Sequence, residues 1–369
     1  MNRLAWIDNL RVTMIILVVV LHTGVTYSGI GGWYYKENAH VDTFSTLFFA
    51  FYLTFTQAYF MSLLFMVSGY FTQRSLLRKG TKKFVHGRLF RLGIPLIVFI
   101  FLIQALAVKL AFPDVDIVDW YVNGLKNLNF LGWTGPLWFV EALLIFSFIY
   151  ILIFKLFIRR RFKLNLKITT LNVVLLIAAI TTGAFALRLV YPIGTDFYNL
   201  QFGFFSAYIF MFAMGILAYA ADWFETITFR DSKKWLLISL GLGIPAWFAI
   251  MFLGGPIDGV MKVEGGWNWP AFFYALWESF FCVTFILALV GLYKYRMDVS
   301  GKFQKFLSDN AFGVFVFHAP ILIGTSMILK DFPMYPVAKF FLVAGIVVPV
   351  SFLVSWLIRR VPAFRKVFS

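Results

Sequence analysis

The amino-acid sequence predicts an all-α membrane protein, a bundle of about ten transmembrane helices with both termini in the cytoplasm. Three observations carry this. Of 369 residues, 61% are hydrophobic and only 14% charged, where a soluble domain carries about 25% charged residues. Ten apolar stretches approach the ~20 residues that cross the hydrocarbon core as a helix. Lys and Arg gather in alternate loops, 26 of 33 on one side, and the positive-inside rule makes that side cytoplasmic.

The stretches run Val12–Tyr27, Thr46–Tyr70, Leu92–Phe112, Leu137–Phe157, Thr169–Leu189, Phe202–Ala221, Trp235–Leu253, Pro270–Tyr293, Ala311–Leu329 and Pro336–Ile358. The second is long enough to tilt or to open with an interfacial turn. The basic side holds Arg3 and Arg11, then Arg74, Arg78, Lys79, Lys82, Lys83, Arg88 and Arg91. It continues with Lys155, Arg159, Arg160, Arg161, Lys163, Lys167, Arg230, Lys233, Lys234, Lys294, Arg296, Lys302 and Lys305, and closes with Arg359, Arg360, Arg365 and Lys366. The opposite side has Lys36, Lys109, Lys126, Arg188, Lys262, Lys330 and Lys339, with Asp114, Asp116 and Asp119 among its acids. This asymmetry accounts for most of the net charge of +16. It calls for anionic lipid head groups and not for nucleic acid.

The lone cysteine, Cys282, excludes an intrachain disulfide, and His22, His40, His86 and His318 have no metal-ligand spacing, so no metal is expected. The N-terminal MNRLAWIDNLR lacks the features of a cleaved signal and reads as a retained first span. Residues 1–369 read as a single integral-membrane domain with no appended soluble domain.

The informative residues are ionisable groups inside the spans, where polarity is costly and usually faces a cavity or a partner. Arg11 stands at the cytoplasmic mouth of the first span, and His22 lies eleven residues on. That spacing is about 16 Å of rise and leaves the two side chains only ~20° apart around the helix. A cation at the mouth and an imidazole at depth on one stripe suit an elongated anionic ligand whose phosphates stay at Arg11. Topology charge plus a packed core histidine is the plainer alternative. Arg88 and Arg91, three apart, would share a helix face, and guanidinium forks suit phosphate. The following Pro95 would break or start a helix. Glu141 in the fourth span and Glu278 in the eighth are each an acid–base group or an ion-pair partner for Arg188 or His22. His318 carries no matching charge stripe and reads as structural.

Taken together these residues and their contexts resemble the membrane-bound acyltransferase 3 family, and within it the branch that succinylates glucans. The resemblance covers nearly the whole chain. It rests on Arg11 and His22 with ten residues between, Arg-x-x-Arg at Arg88 and Arg91, and the segments FMVSGYFTQRSLLRKG, RLGIPL, GPLWFVEALL, FMFAMGILAY and NAFGVFVFHAPIL. It implies transfer of an acetyl or succinyl group from cytoplasmic acyl-CoA to an extracytoplasmic carbohydrate or lipid-linked acceptor, in a bacterial cytoplasmic membrane. It also implies donor binding by Arg11, Arg88 and Arg91, catalysis by His22, and an acidic residue in the first external loop, matched by Asp42 with Glu37 close by.

Acyl transfer to a hydroxyl needs a base and a donor for the developing oxyanion. His22 suits the base, with Asp42 or Glu141 to orient its ring; acylation of His22 itself is the alternative. The competing function class is a secondary transporter or exporter, which calls for broken helices in matching halves or an inverted repeat.

Overall fold

The computed structural model describes residues 4–37, 41–155, 168–255 and 262–368. Arg3, His40, Arg159, Arg160, Arg161, Lys163 and Lys167 lie outside the described residues. Among the described residues ten helices are long and apolar enough to cross a membrane. They are α1 (Ala5–Ser28), α2 (Thr43–Lys79), α3 (Thr81–Ala111), α4 (Gly135–Ile153), α5 (Thr170–Val190), α6 (Phe202–Ala220), α7 (Phe229–Leu253), α8 (Trp269–Arg296), α9 (Lys302–Ile328) and α10 (Pro336–Arg359). Each expected span falls on one of them. All backbone polar groups of a span must be satisfied inside the segment, which is why apolar runs of this length resolve as helices.

α2 is the longest, at 37 residues, about 55 Å of rise. It outreaches the bilayer on the basic face and turns into α3 at Gly80, whose φ of 73° favours glycine. α3 continues through Pro95 without breaking. The segment Leu89–Gly93 widens into a π turn just before the proline, and Phe99–Ile103 forms a second. A π turn absorbs the missing donor and the ring clash that would otherwise kink the helix, and Pro95 stands at the start of the α-helical segment Ile94–Val98, the second of the two expectations at this proline.

α1 is the inner helix, packed by α2, α8, α9 and α10. α2 packs most extensively on α6. There a Cβ on Gly69 would sit 2.1 Å from the Phe212 carbonyl oxygen, and one on Gly215 1.9 Å from that of Met66. Two glycines thus let the backbones touch, the usual device where lipid supplies no hydrophobic drive between helices. Two of the segments that carried the family resemblance, FMVSGY and FMFAMGILAY, therefore meet each other and set this contact.

On the far side of the bundle Arg188 donates from Nη2 to Glu278 and from Nε to the Gly203 carbonyl at 3.0 Å. The guanidinium also lies over the Phe204 and Tyr274 rings. Arg188 and Glu278 are 1% and 7% exposed, so the pair ties α5, α6 and α8 together in a water-poor setting. Glu278 is thereby engaged by Arg188 and does not partner His22. Arg188→Met should strand an unpaired carboxylate and lower stability by roughly 3–5 kcal/mol. The double variant with Glu278→Met should recover most of it, read as thermal midpoint in detergent.

Candidate active site

His22 sits on α1 about 9 Å of helix rise from its outer end at Ser28. Its Nδ1 lies 3.0 Å from His318 Nε2 on α9. His318 is fully buried, and its Nδ1 lies 2.8 Å from the Phe315 carbonyl. A carbonyl only accepts, so His318 Nδ1 donates. In a neutral pair His318 Nε2 is then the acceptor and His22 Nδ1 its donor. That leaves the lone pair of His22 on Nε2. One and a half turns farther out Tyr27 donates to Ser326 Oγ at 3.1 Å, which holds α1 and α9 in this register.

The loop after α1 closes over the imidazole. Trp33 stacks on His22 at 4.0 Å between ring centres, 15° from parallel. Its indole Nε1 is buried and has no hydrogen-bond partner among the described residues. Tyr34 donates to Gln104 on α3. A Cβ on Gly135 would lie 2.4 Å from the Tyr34 hydroxyl and 2.7 Å from Phe99, at a φ of 47°. The glycine of GPLWFVEALL is thus required by the seating of this loop. Its outer end is pinned by Glu37, which pairs with Lys339 at 2.6 Å, the two being 14% and 1% exposed. Lys339 also donates to the Phe332 carbonyl at 2.9 Å.

The two carboxylates expected to orient His22 do other work. Asp42 is exposed and caps α2, accepting from Phe44 and Ser45 backbone N–H at 3.1 Å, from Ser45 Oγ at 2.5 Å and from Tyr335 at 2.9 Å. The Ser45 hydroxyl, first among these donors, holds its carboxyl below the usual carboxylate range. Glu141 lies near Thr134, which accepts from Asn199 at 2.8 Å. Its Oε2 is buried with no hydrogen-bond partner among the described residues. Through Thr134, Gly135 and Tyr34 it neighbours the imidazole site, yet the nitrogen beside His22 Nδ1 belongs to His318. His318, read from the sequence as structural, thus stands in direct contact with His22.

The arginines also separate. Arg11 lies 3.7 Å from Asp8 at the basic end of α1. On the stripe between it and His22, Ile15 and Val18 are buried, 7% and 2% exposed, so the face expected to line an open shaft is packed. Arg88 turns inward, donating to Thr72 Oγ1 of α2 at 2.6 Å and lying over Phe84. Arg91 is exposed. The π turn between them rotates the pair off the common face that α-helical spacing predicts.

Ten candidate spans among the described residues, around a pair of imidazoles of which His318 is fully buried, capped by an aromatic loop, define a polytopic membrane protein with a polar site inside the bundle. The comparisons with known proteins narrow the class. Residues 4–360 match the acyltransferase domain of the acyltransferase 3 family, and the chain belongs to that family of membrane acyltransferases. It is 26% identical over 162 residues to glucans biosynthesis protein C of Escherichia coli K12, and equally to the same protein in strains MC4100/BW2952 and DH10B. The match covers 41% of this chain and 38% of the relative, well under two thirds of its length. No solved structure matches.

Sequence reasoning missed His318 as the partner of His22, and it missed Trp33, Tyr34, Gln104 and Lys339. Only Lys339 carried a signal, a cation inside an apolar span on the acidic side. His318→Ala should lower turnover by about 100-fold, with apparent donor affinity and folded yield unchanged; normal turnover would remove His318 from the site. Asp42→Ala should chiefly lower the thermal midpoint, whereas Asp42→Asn, which keeps a capping oxygen, should retain activity. The depressed carboxyl adds stability above its unfolded value and loses it as pH falls through the lower folded one, so acid should weaken this cap only below about pH 4.

Proposed function

We propose that this protein transfers an acetyl or succinyl group from cytoplasmic acyl-CoA to a hydroxyl of an extracytoplasmic glycan or lipid-linked acceptor, with both termini cytoplasmic. The observation that carries the reading is the chain from the Phe315 carbonyl through His318 to His22, which leaves Nε2 of His22 unprotonated. Its distance from the outer end of α1 suits an acceptor approaching from the face opposite the basic one. The partial likeness to a glucans biosynthesis protein supports a carbohydrate acceptor.

On this reading His22 Nε2 takes the acceptor's hydroxyl proton as the oxygen attacks the thioester carbonyl carbon. The carbon–sulfur bond then breaks, and the leaving thiolate takes the proton from His22. His318 steadies the ring tautomer throughout, as a positioning residue. The Trp33 N–H beside the imidazole and Glu141 Oε2, both without a hydrogen-bond partner among the described residues, are available to the oxyanion and to a hydroxyl of the acceptor respectively. Because the α1 stripe is packed at Ile15 and Val18, arrival of the donor from the basic face is the gated step.

Reconstituted vesicles supplied with radiolabelled acetyl- or succinyl-CoA outside and glycan inside should label the glycan. His22→Ala should insert normally and abolish the label. Labelling at the wild-type rate by that variant would defeat the proposal, and counterflow of unmodified solute without labelling would turn the assignment to transport.

A further inference from the structure

α5 is clamped to its neighbours toward one end and parted from them toward the other. In the half away from the basic face, a Cβ on Gly183 would sit 2.5 Å from Ser206 Oγ of α6, and that hydroxyl donates to the Ile180 carbonyl at 2.8 Å. Arg188 adds its bonds to the Gly203 carbonyl and to Glu278. Toward the basic face the helices splay. Between α5, α6 and α8 a cavity of about 360 Å³ opens there and reaches Met66 of α2. Among the described residues that line it none carries a charge, and the two polar side chains, Asn172 and Trp223, stand at its basic end.

Such a space calls for an apolar occupant. Water needs several polar partners to settle in a cavity, and this wall does not offer them. Left empty, the gap would forfeit packing along three helices, a penalty that grows with cavity volume. An apolar cavity of ~150 Å³ already takes up benzene. This one is more than twice as large, with room for roughly a dozen chain carbons. It is open to the side. Leu175 lines it and is 57% exposed, and Leu171 and Val174 beside it on α5 are 65% and 54% exposed. On a transmembrane helix such a face meets hydrocarbon tails. The wall is also adaptable, because Met66, Met211 and Met214 contribute to it and an unbranched thioether moulds itself to irregular partners. Trp223 at the basic end stands where an indole bridges head groups and hydrocarbon.

We propose that this cleft is a binding site for one fatty-acyl chain of a phospholipid, drawn from the leaflet at the basic face and entering past Leu175. The chain completes the packing of α5 where the protein's own side chains leave it open. Its place in the bundle makes it a lipid tail and not the group being transferred. Met66 lies thirteen residues, about 20 Å of rise, along α2 from Leu53, which packs on Gly24 close to His22. The site therefore stands apart from the imidazole pair and does not depend on the acyl-transfer reading.

The test uses the full chain in nanodiscs that contain a phosphatidylcholine with a photoreactive diazirine in its acyl chain, and cross-links are mapped by mass spectrometry. The neutral head group keeps surface charge out of the result. Wild type should carry label on Leu176, Met211 and Met214 inside the cleft. The variant Leu176→Trp, Ala179→Phe fills the cleft and should lower the label on Met211 and Met214 by about tenfold. The control Leu171→Phe, Val174→Phe adds bulk to the lipid-facing side of the same helix and should leave that label unchanged. Label confined to Leu171 and Val174, or an equal loss in the control, overturns the site. Displacement by palmitoyl-CoA but not by unlabelled phosphatidylcholine overturns the lipid assignment. A second measurement reads binding through stability. Added phosphatidylcholine should raise the thermal midpoint of delipidated wild type in detergent and leave that of the filled variant unmoved; an equal rise in both counts against the cleft. Should the double variant fail to fold, Leu176→Trp alone takes its place in both measurements.

Discussion

A fully buried imidazole such as His318 must have both ring nitrogens accounted for inside the protein, and the α1–α9 interface is organised around that requirement. The Phe315 carbonyl accepts from His318, and His318 accepts from His22. Of the four ring nitrogens of this pair, Nε2 of His22 is the one left over among the described residues. Tyr27 and Ser326 fix the two helices in register farther out. Trp33 covers the ring that holds the open nitrogen. A polar network is costly inside a bundle unless it is connected, and the imidazole nitrogen left open here is the one that the proposed transfer uses.

The two halves of the bundle are held differently. Away from the basic face, ion pairs join elements distant in sequence: Arg188 with Glu278, and Glu37 with Lys339. Each of these pairs includes a side chain only 1% exposed. On the basic face Arg11 lies 3.7 Å from Asp8 and Lys294 3.7 Å from Glu225, and other cations rest on neutral groups. Arg88 rests on a hydroxyl and a ring, and Arg360 rests on Trp356. Lys294 donates to the Phe224 and Glu225 carbonyls. A hydroxyl or a ring positions a cation without cancelling its charge, as at Arg88 and Arg360.

Some of the family-like segments are explained by packing and others by the site. Gly69 and Gly215 bring α2 and α6 into backbone contact, which makes FMVSGY and FMFAMGILAY two halves of one interface. Gly135 makes room for Tyr34 and Phe99, so GPLWFVEALL serves the loop above His22. NAFGVFVFHAPIL does both. Gly313 admits Ser355 of α10, whereas His318 meets His22. The carboxylate Asp42 shows a related ambiguity. Asp42 stands where an acid in an external loop attracts notice, yet it also stands at the start of a helix, where an acid is a cap.

The number of spans, their order and the sidedness of charge were legible in the sequence, because each depends on local composition and on the thickness of a bilayer. The position of His22 on its own helix was legible too, since a helical period fixes rise and azimuth. What stands across from that face was not. The pairing of His22 with His318, the lid made by Trp33, and the parting of Arg88 from Arg91 depend on how helices pack. Periodicity describes one helix at a time. The identity of the neighbour, and a single π turn that shifts one arginine against another, are decided only when the whole bundle closes.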